Sequence, residues 1–226
     1  MTPYAPLFRS FFLGGFECST HRTISRRRLD MIAATRHDTM AYEDYSQLGE
    51  HGIRTARDGV RWHLIETSPG QYDWSSILPM MRAAERAGTQ VIWDLCHYGW
   101  PDDLDVFSPA FVDRFARYAA AFARLHVEET GRAPFVCPVN EISFLAFAGG
   151  DMERCSPHAT GRGMDLKRNL VRAAVAGTHA VRAAAPGTRT AAIDPVINIV
   201  PRFPEEAEEV RNHNASQWQA WDMLCG

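Results

Sequence analysis

The chain has 226 residues, of which 46% are hydrophobic and 23% charged, and its formal net charge is −3. That length fits one α/β domain over 1–226, and the near-neutral charge leaves no basic footprint for nucleic acid or an anionic membrane. No apolar run approaches the roughly 18 residues that cross a bilayer.

Met1–Phe16 carries an apolar patch broken by Arg9, without a basic start or small-residue cleavage site, so no signal peptide is read. The five cysteines (Cys18, Cys96, Cys137, Cys155 and Cys225) are odd in number and widely spaced, and lack a Cys-x-x-Cys pair. Three fall in expected strands, where a thiol behaves as a small hydrophobe. A reducing, cytoplasmic location is the expectation, with no metal and no cofactor. Lys167 is the only lysine, and it stands in a charged helix start, which argues against a Schiff-base barrel enzyme.

Apolar strands alternate with amphipathic helices along the chain. Phe11–Cys18 reads as the first strand, and Ala41–His51 as a helix stopped by Gly52. Arg54–Trp62 is a second strand, Ser75–Ala87 a helix followed by Gly88, and Gln90–Cys96 a third strand. Ser108-Pro109 opens a long helix, with serine as cap and proline at its first position. Phe111, Phe115, Tyr118, Phe122 and Leu125 recur there at helical spacing and read as core. Phe135–Val139 is the fourth strand, Leu166–Ala184 a helix broken by Pro186-Gly187, and Thr190–Asp194 the fifth strand. Glu206–Leu224 holds a last helix.

Every helix can serve as a crossover, which implies a parallel sheet with right-handed connections. A doubly wound nucleotide binder would show a Gly-rich turn after its first strand. Here Gly14-Gly15 lies inside that strand and Glu17-Cys-Ser-Thr-His21 follows, so a TIM-type (β/α)₈ barrel is favoured. Only five βα units are present where eight are usual, so the barrel is expected to be incomplete.

In this architecture catalysis belongs to the carboxyl ends of the strands. The residues there are Glu17, Ser19 and His21; Arg61 and His63; Asp94, His97 and Trp100; Asn140 and Glu141; Asp194 and Asn198. Asn140-Glu141 ends the run Pro134-Phe-Val-Cys-Pro-Val, and places a carboxyl suited to acid/base work beside an amide suited to a sugar hydroxyl. Each also has a plain structural reading: strand-end polarity for Asn140-Glu141, an Asp94–Arg61 ion pair, core histidines for His63 and His97. A metal held by His21, His63 and His97 is conceivable, but no His-x-His or His-Glu-x-x-His pattern supports it.

Several of these segments resemble retaining glycoside hydrolases of the large barrel clan. Gly59-Val-Arg61-Trp followed by Pro69-Gly70-Gln-Tyr-Asp73-Trp74 resembles their second-strand segment. His97-Tyr-Gly-Trp-Pro101 is similar to the third-strand His-x-x-x-Pro of glycoside hydrolase family 1, the β-glucosidases. Val139-Asn140-Glu141 resembles the clan's fourth-strand Asn-Glu, and Leu13–His21 is a looser match to the first strand. The resemblance implies Glu141 as general acid/base and Asn140 on the sugar 2-hydroxyl. It implies Arg61 orienting the nucleophile, His97 on another hydroxyl, and Trp100 or Trp62 as an apolar face for the ring. Glu17 falls within the site by strand position. The implied partner is a sugar or β-glycoside.

The resemblance also implies a nucleophilic glutamate on a seventh strand. The acids beyond Asp194, namely Glu205, Glu206, Glu208, Glu209 and Asp222, all lie in a charged helical run. The expectation is therefore a partial β-glycosidase that is inactive alone. A complete enzyme using Asp94 or Glu17 instead, or a non-catalytic carbohydrate-binding or scaffold protein, are the alternatives. Five strands cannot close an eight-stranded barrel, so the outer strands should be free edges prone to self-association.

Overall fold

The computed structural model describes residues 7–226, so the Met1–Phe16 patch lies partly outside the described residues. Strand β1 (Gly14–Gly15) is followed by α1 (Met31–Ala34) and α2 (His37–Glu50). After β2 (Thr55–Gly59) come α3 (Trp62–Ile65), a hairpin of β3 (Glu66–Ser68) and β4 (Gln71–Tyr72), and α4 (Leu78–Ala87). Strand β5 (Gln90–Asp94) leads to α5 (Pro109–Thr130). Strand β6 (Phe135–Cys137) leads to α6 (Ile142–Leu145), a π-helical turn (Ala146–Asp151) and α7 (Gly163–Ala184). Then follow β7 (Arg189–Thr190), a 3₁₀ turn (Pro204–Glu206), α8 (Ala207–Ser216) and α9 (Gln219–Cys225).

Five strands form one all-parallel sheet in the order β1-β2-β5-β6-β7, and β1 and β7 are left as its edges. Among the described residues the sheet does not close into a barrel. It is the incomplete α/β barrel-type fold expected from five βα units.

Strand alternation decides which residues serve the core and which the site. On β2, Asp58 points to the helical layer, where it meets His37 and Tyr45 of α2. Its neighbour Arg57 points to the other face, toward Asp94 at the end of β5. On β5, Trp93 lies among the helices against Phe122, while Asp94 faces Arg57. The aromatic stripe of α5 is core as expected: Phe111, Phe115, Tyr118 and Phe122 are fully buried. Each contributes about 1.5–3 kcal/mol by leaving water.

Glu66 organises the turn after α3. Its buried carboxylate accepts from Trp62 Nε1 at 2.7 Å, from the Gly70 amide at 2.9 Å and from Arg114 Nε at 3.3 Å. This holds Tyr72 and Trp74 against Tyr118. The Pro69–Trp74 signature is thus an anchor for the aromatic layer.

Several boundaries differ from expectation. The first strand shrinks to Gly14–Gly15, because Phe11 and Phe12 lie in solvent on an edge instead of under a neighbouring layer. The second ends at Gly59, since Arg61 becomes the N-cap residue of α3 and Trp62 its first residue. The fifth pairs only through Arg189–Thr190, with one further bridge between Ile193 and Asn140. Ser108 does occupy the N-cap of α5, but its hydroxyl turns back to the Asp105 carbonyl at 2.7 Å and caps nothing. The last helix divides into α8 and α9 at Gln217-Trp218.

Candidate active site

Three loops converge at the carboxyl ends of β1, β2, β5 and β6, and two glycines allow it. A Cβ on Gly59 would stand 2.3 Å from Cys18 Cβ, and one on Gly99 would stand 1.9 Å from Thr20 Oγ1. The absent side chains let the segment after β1 lie directly over β2 and against the loop after β5. Backbone bonds complete the rim: Thr20 N–H donates to His97 O at 3.1 Å, Asn140 N–H to Cys96 O at 3.0 Å, and Glu141 N–H to Ile193 O at 2.9 Å.

At the centre lies a chain of polar contacts. Arg57 donates through Nε to Asp94 Oδ1 at 3.3 Å and through Nη2 to Asp94 Oδ2, and its Nη2 also donates to Asn140 Oδ1 at 2.6 Å. A guanidinium only donates, so Asn140 must turn its oxygen to Arg57 and its NH₂ away. That NH₂ lies 3.0 Å from His97 Nε2, which must then accept. The remaining proton of a neutral His97 is on Nδ1, 3.0 Å from Asp94 Oδ2. Arg57 thereby sets the amide orientation of Asn140 and the tautomer of His97. Burial works against the Arg57 charge, but Asp94 outweighs it and raises the guanidinium further.

Cys18 Sγ is 3.0 Å from His97 Nδ1 and 3.7 Å from Asp94 Oδ2. Cys18, Asp94 and His97 are the one group of three potential metal ligands among the described residues, and they are not the three histidines considered from sequence. Burial, reinforced by the Asp94 charge, pushes the Cys18 thiol well above its ordinary range. A thiolate is therefore disfavoured, and Asp94 is already engaged by Arg57 and His97.

Glu141 is half-buried at the N-cap of α6, with its backbone in the left-handed region at φ 45°. For a residue with a side chain this conformation is uncommon and carries strain. Tyr98, also left-handed at φ 64°, donates its phenol O–H to Glu141 Oε2. Glu17, with 54% of its side chain exposed, sits at the rim with Oε1 4.0 Å from His97 Nε2 and accepts from the Ser19 amide at 3.0 Å. Partial burial opposes ionisation of Glu17, but the bonds from Ser19 and the Arg57 charge hold its carboxyl below the usual range. Asp194 accepts from the Ser143 amide at 3.0 Å and its hydroxyl at 2.6 Å, while burial, aided by the Glu141 charge, raises its carboxyl.

Glu17, His97, Asn140 and Glu141 are thus brought together, and Arg61 is not. Arg61 is buried beside α1 and α2, pairing with Asp38 at 3.1 Å and Asp30 at 3.2 Å and donating to Ser76 O. The Asp94 partner is Arg57, not Arg61. Trp100 is 7% exposed and edge-on to Phe111, and Trp62 is stacked 5.0 Å from Tyr118, so neither offers an open face. The exposed aromatic face tied to Glu141, through Tyr98, belongs to Phe144. His63 lies with Arg61; burial, helped by the Arg28 charge, pushes it down to about 4. Arg57 and Tyr98 join the site without being among its expected residues. Arg57 was detectable as an arginine between the buried Ala56 and Asp58, whereas nothing local announced Tyr98.

No protein-family model matches this sequence, and no curated protein matches it. Solved structures do. Virulence factor SghA from Agrobacterium tumefaciens superposes with a TM-score of 0.76 at 15% identity, over 93% of this chain and 54% of that one. The rice Os3BGlu6 β-glucosidase gives 0.73 at 16% identity, over 95% and 54%. A family 1 β-glucosidase from Thermotoga maritima gives 0.69 at 15% identity, over 80% and 43%. The chain spans about half the length of the structures it matches, and over that span its fold is that of the family 1 β-glucosidases.

Proposed function

We propose that these five βα units carry the sugar-binding and acid/base part of a β-glycoside-cleaving site. The observation that supports this best is the placement of Glu141 at a strand's carboxyl end, beside an Asn140 fixed by Arg57 and His97. Glu141 would protonate the leaving oxygen and then activate water. Asn140, His97 and Glu17 would bind sugar hydroxyls, and Phe144 would flank the ring. Arg57 takes the role first assigned to Arg61, because it lies in the cluster. The Thermotoga β-glucosidase has been solved with glucoimidazole, a sugar-like inhibitor, which makes that compound a suitable binding probe here.

Cleavage requires a second carboxyl group, about 5–5.5 Å away for retention and about 6.5–9.5 Å for inversion. Asp94 is committed to Arg57 and His97, and Glu17 lies at the exposed rim, accepting from the Ser19 amide. We infer that the nucleophile is not supplied by these two groups and that the units alone bind sugar without efficient turnover. The same engagement favours a second reading, a carbohydrate-binding protein built on a glycosidase fold. The five cysteines, all unpaired, support a reducing, cytoplasmic setting.

The experiment is an aryl β-glycoside panel with the parent and Glu141→Gln, alongside calorimetric binding of glucoimidazole. Binding by both proteins with turnover by neither fits the proposal. Turnover by the parent that is lost in Glu141→Gln establishes Glu141 as catalytic and requires a second carboxylate in the chain. Absence of glucoimidazole binding by both refutes the sugar site.

A further inference from the structure

We propose that Tyr98 is a positioning residue for Glu141, holding Oε2 so that Oε1 is the oxygen presented to the scissile bond; this rests on the acid/base reading of Glu141. Three observations carry it. The phenol O–H donates to Oε2, and Oε1 has no hydrogen-bond partner among the described residues. The Tyr98 ring is fixed from several sides, edge-on to His97 with centroids 4.7 Å apart, tilted on Phe144 at 5.5 Å and edge-on to His21 at 6.1 Å. Both partners reach each other from left-handed backbones, Tyr98 at φ 64° and Glu141 at φ 45°. Such conformations persist where the surroundings over-determine them, and they cluster at functional sites.

Tyr98 keeps its proton throughout. Burial first, and the hydrogen bond to Glu141 second, push the phenol well above its ordinary range, so toward Glu141 it remains a donor. With Glu141 protonated on Oε1, its Oε2 is a carbonyl oxygen accepting from the phenol. When the Oε1 proton passes to the leaving oxygen, negative charge spreads onto Oε2 and the same bond becomes charge-assisted and stronger. In the second half, water returns a proton to Oε1 and the bond weakens again. Tyr98 therefore favours the acid step and opposes the base step, and it fixes which oxygen performs both.

The test is a pH titration of the protein labelled with ¹³C at glutamate Cδ, read by NMR, with the Glu141 signal identified by its loss in Glu141→Gln. Tyr98→Phe keeps the packed ring and removes one oxygen. The titration midpoint of Glu141 is expected to rise by about one to two pH units, the worth of a hydrogen bond to a charged group. An unmoved midpoint overturns the proposal. Should Tyr98→Phe fail to fold, Glu141→Gln serves from the other side. The Tyr98 hydroxyl proton is expected to resonate far downfield in the parent and to move upfield in Glu141→Gln, and an unchanged position overturns the proposal. Absence of glycoside turnover or sugar binding would count against the functional reading without touching the titration. Where turnover is measured, the high-pH limb of its profile should rise in Tyr98→Phe along with the midpoint, and a fixed limb refutes the positioning role.

Discussion

Replacing Arg57 by methionine keeps the stem of the side chain and removes its charge. Asp94 is fully buried and Arg57 retains 29% side-chain exposure, so the carboxylate is the group left stranded. Breaking a buried pair from one side costs about 3–5 kcal/mol. Asp94 still has His97 Nδ1 and the Cys18 thiol, and water can follow the partly exposed stem, so the low end, about 3 kcal/mol, is expected. With a urea slope of about 2–3 kcal/mol/M, the unfolding midpoint should fall by about 1–1.5 M. Asp94→Asn should cost less, because the arginine it releases can reach solvent. The double variant should lose at least about 1 kcal/mol less than the sum of the single losses, since the two side chains are in direct contact. Equilibrium urea denaturation by circular dichroism measures all three. A midpoint for Arg57→Met within about 0.2 M of the parent, or strict additivity in the cycle, would refute the expectation that the buried Asp94 depends on Arg57.

The buried His37 bridges Asp58 at 2.7 Å and Asp44 at 2.6 Å; burial opposes its charge, but the two carboxylates outweigh it and raise its titration. A raised imidazole contributes stability that is complete below the unfolded-state value of about 6.5 and is lost as pH rises through the folded-state value. Thermal midpoints should therefore decline across that window in the parent and lose this slope in His37→Gln; identical slopes would exclude the mechanism. The two sheet edges, together with exposed Phe11, Phe12, Val196, Ile197 and Val200, should drive self-association. Light scattering during size-exclusion chromatography should give a mass above that of one chain at micromolar concentrations, and a strictly monomeric protein would contradict it.

The sequence made the strand order, the crossover helices and the buried face of α5 legible, because each rests on periodic apolar residues. The site was legible only in part. Glu141, Asn140 and His97 follow strands whose apolar runs mark their ends. The family resemblance and a second strand running through Trp62 both point to Arg61; the chain instead turns helical at Trp62, which buries Arg61 against Asp30 and Asp38. Arg57 and Arg61 have the same strand parity, and it is the end of β2 at Gly59 that leaves Arg57 alone on the face shared with Asp94 in the neighbouring strand. The resemblance implies Trp100 or Trp62 as a sugar platform, yet the α5 stripe claims both. The Tyr98–Glu141 bond depends on two left-handed residues in separate loops, and no local pattern encodes such a pairing.

The left-handed backbone at Glu141 sets conformational preference and side-chain chemistry against each other at one position. Glycine or asparagine would sit there with less strain, so a lineage released from any demand on this carboxyl would gain stability by drifting toward either. A glutamate at 141 is thus a residue that the fold alone would not choose. Its persistence or loss among sibling sequences would report whether the cleft has remained under selection for proton transfer or has become a binding surface.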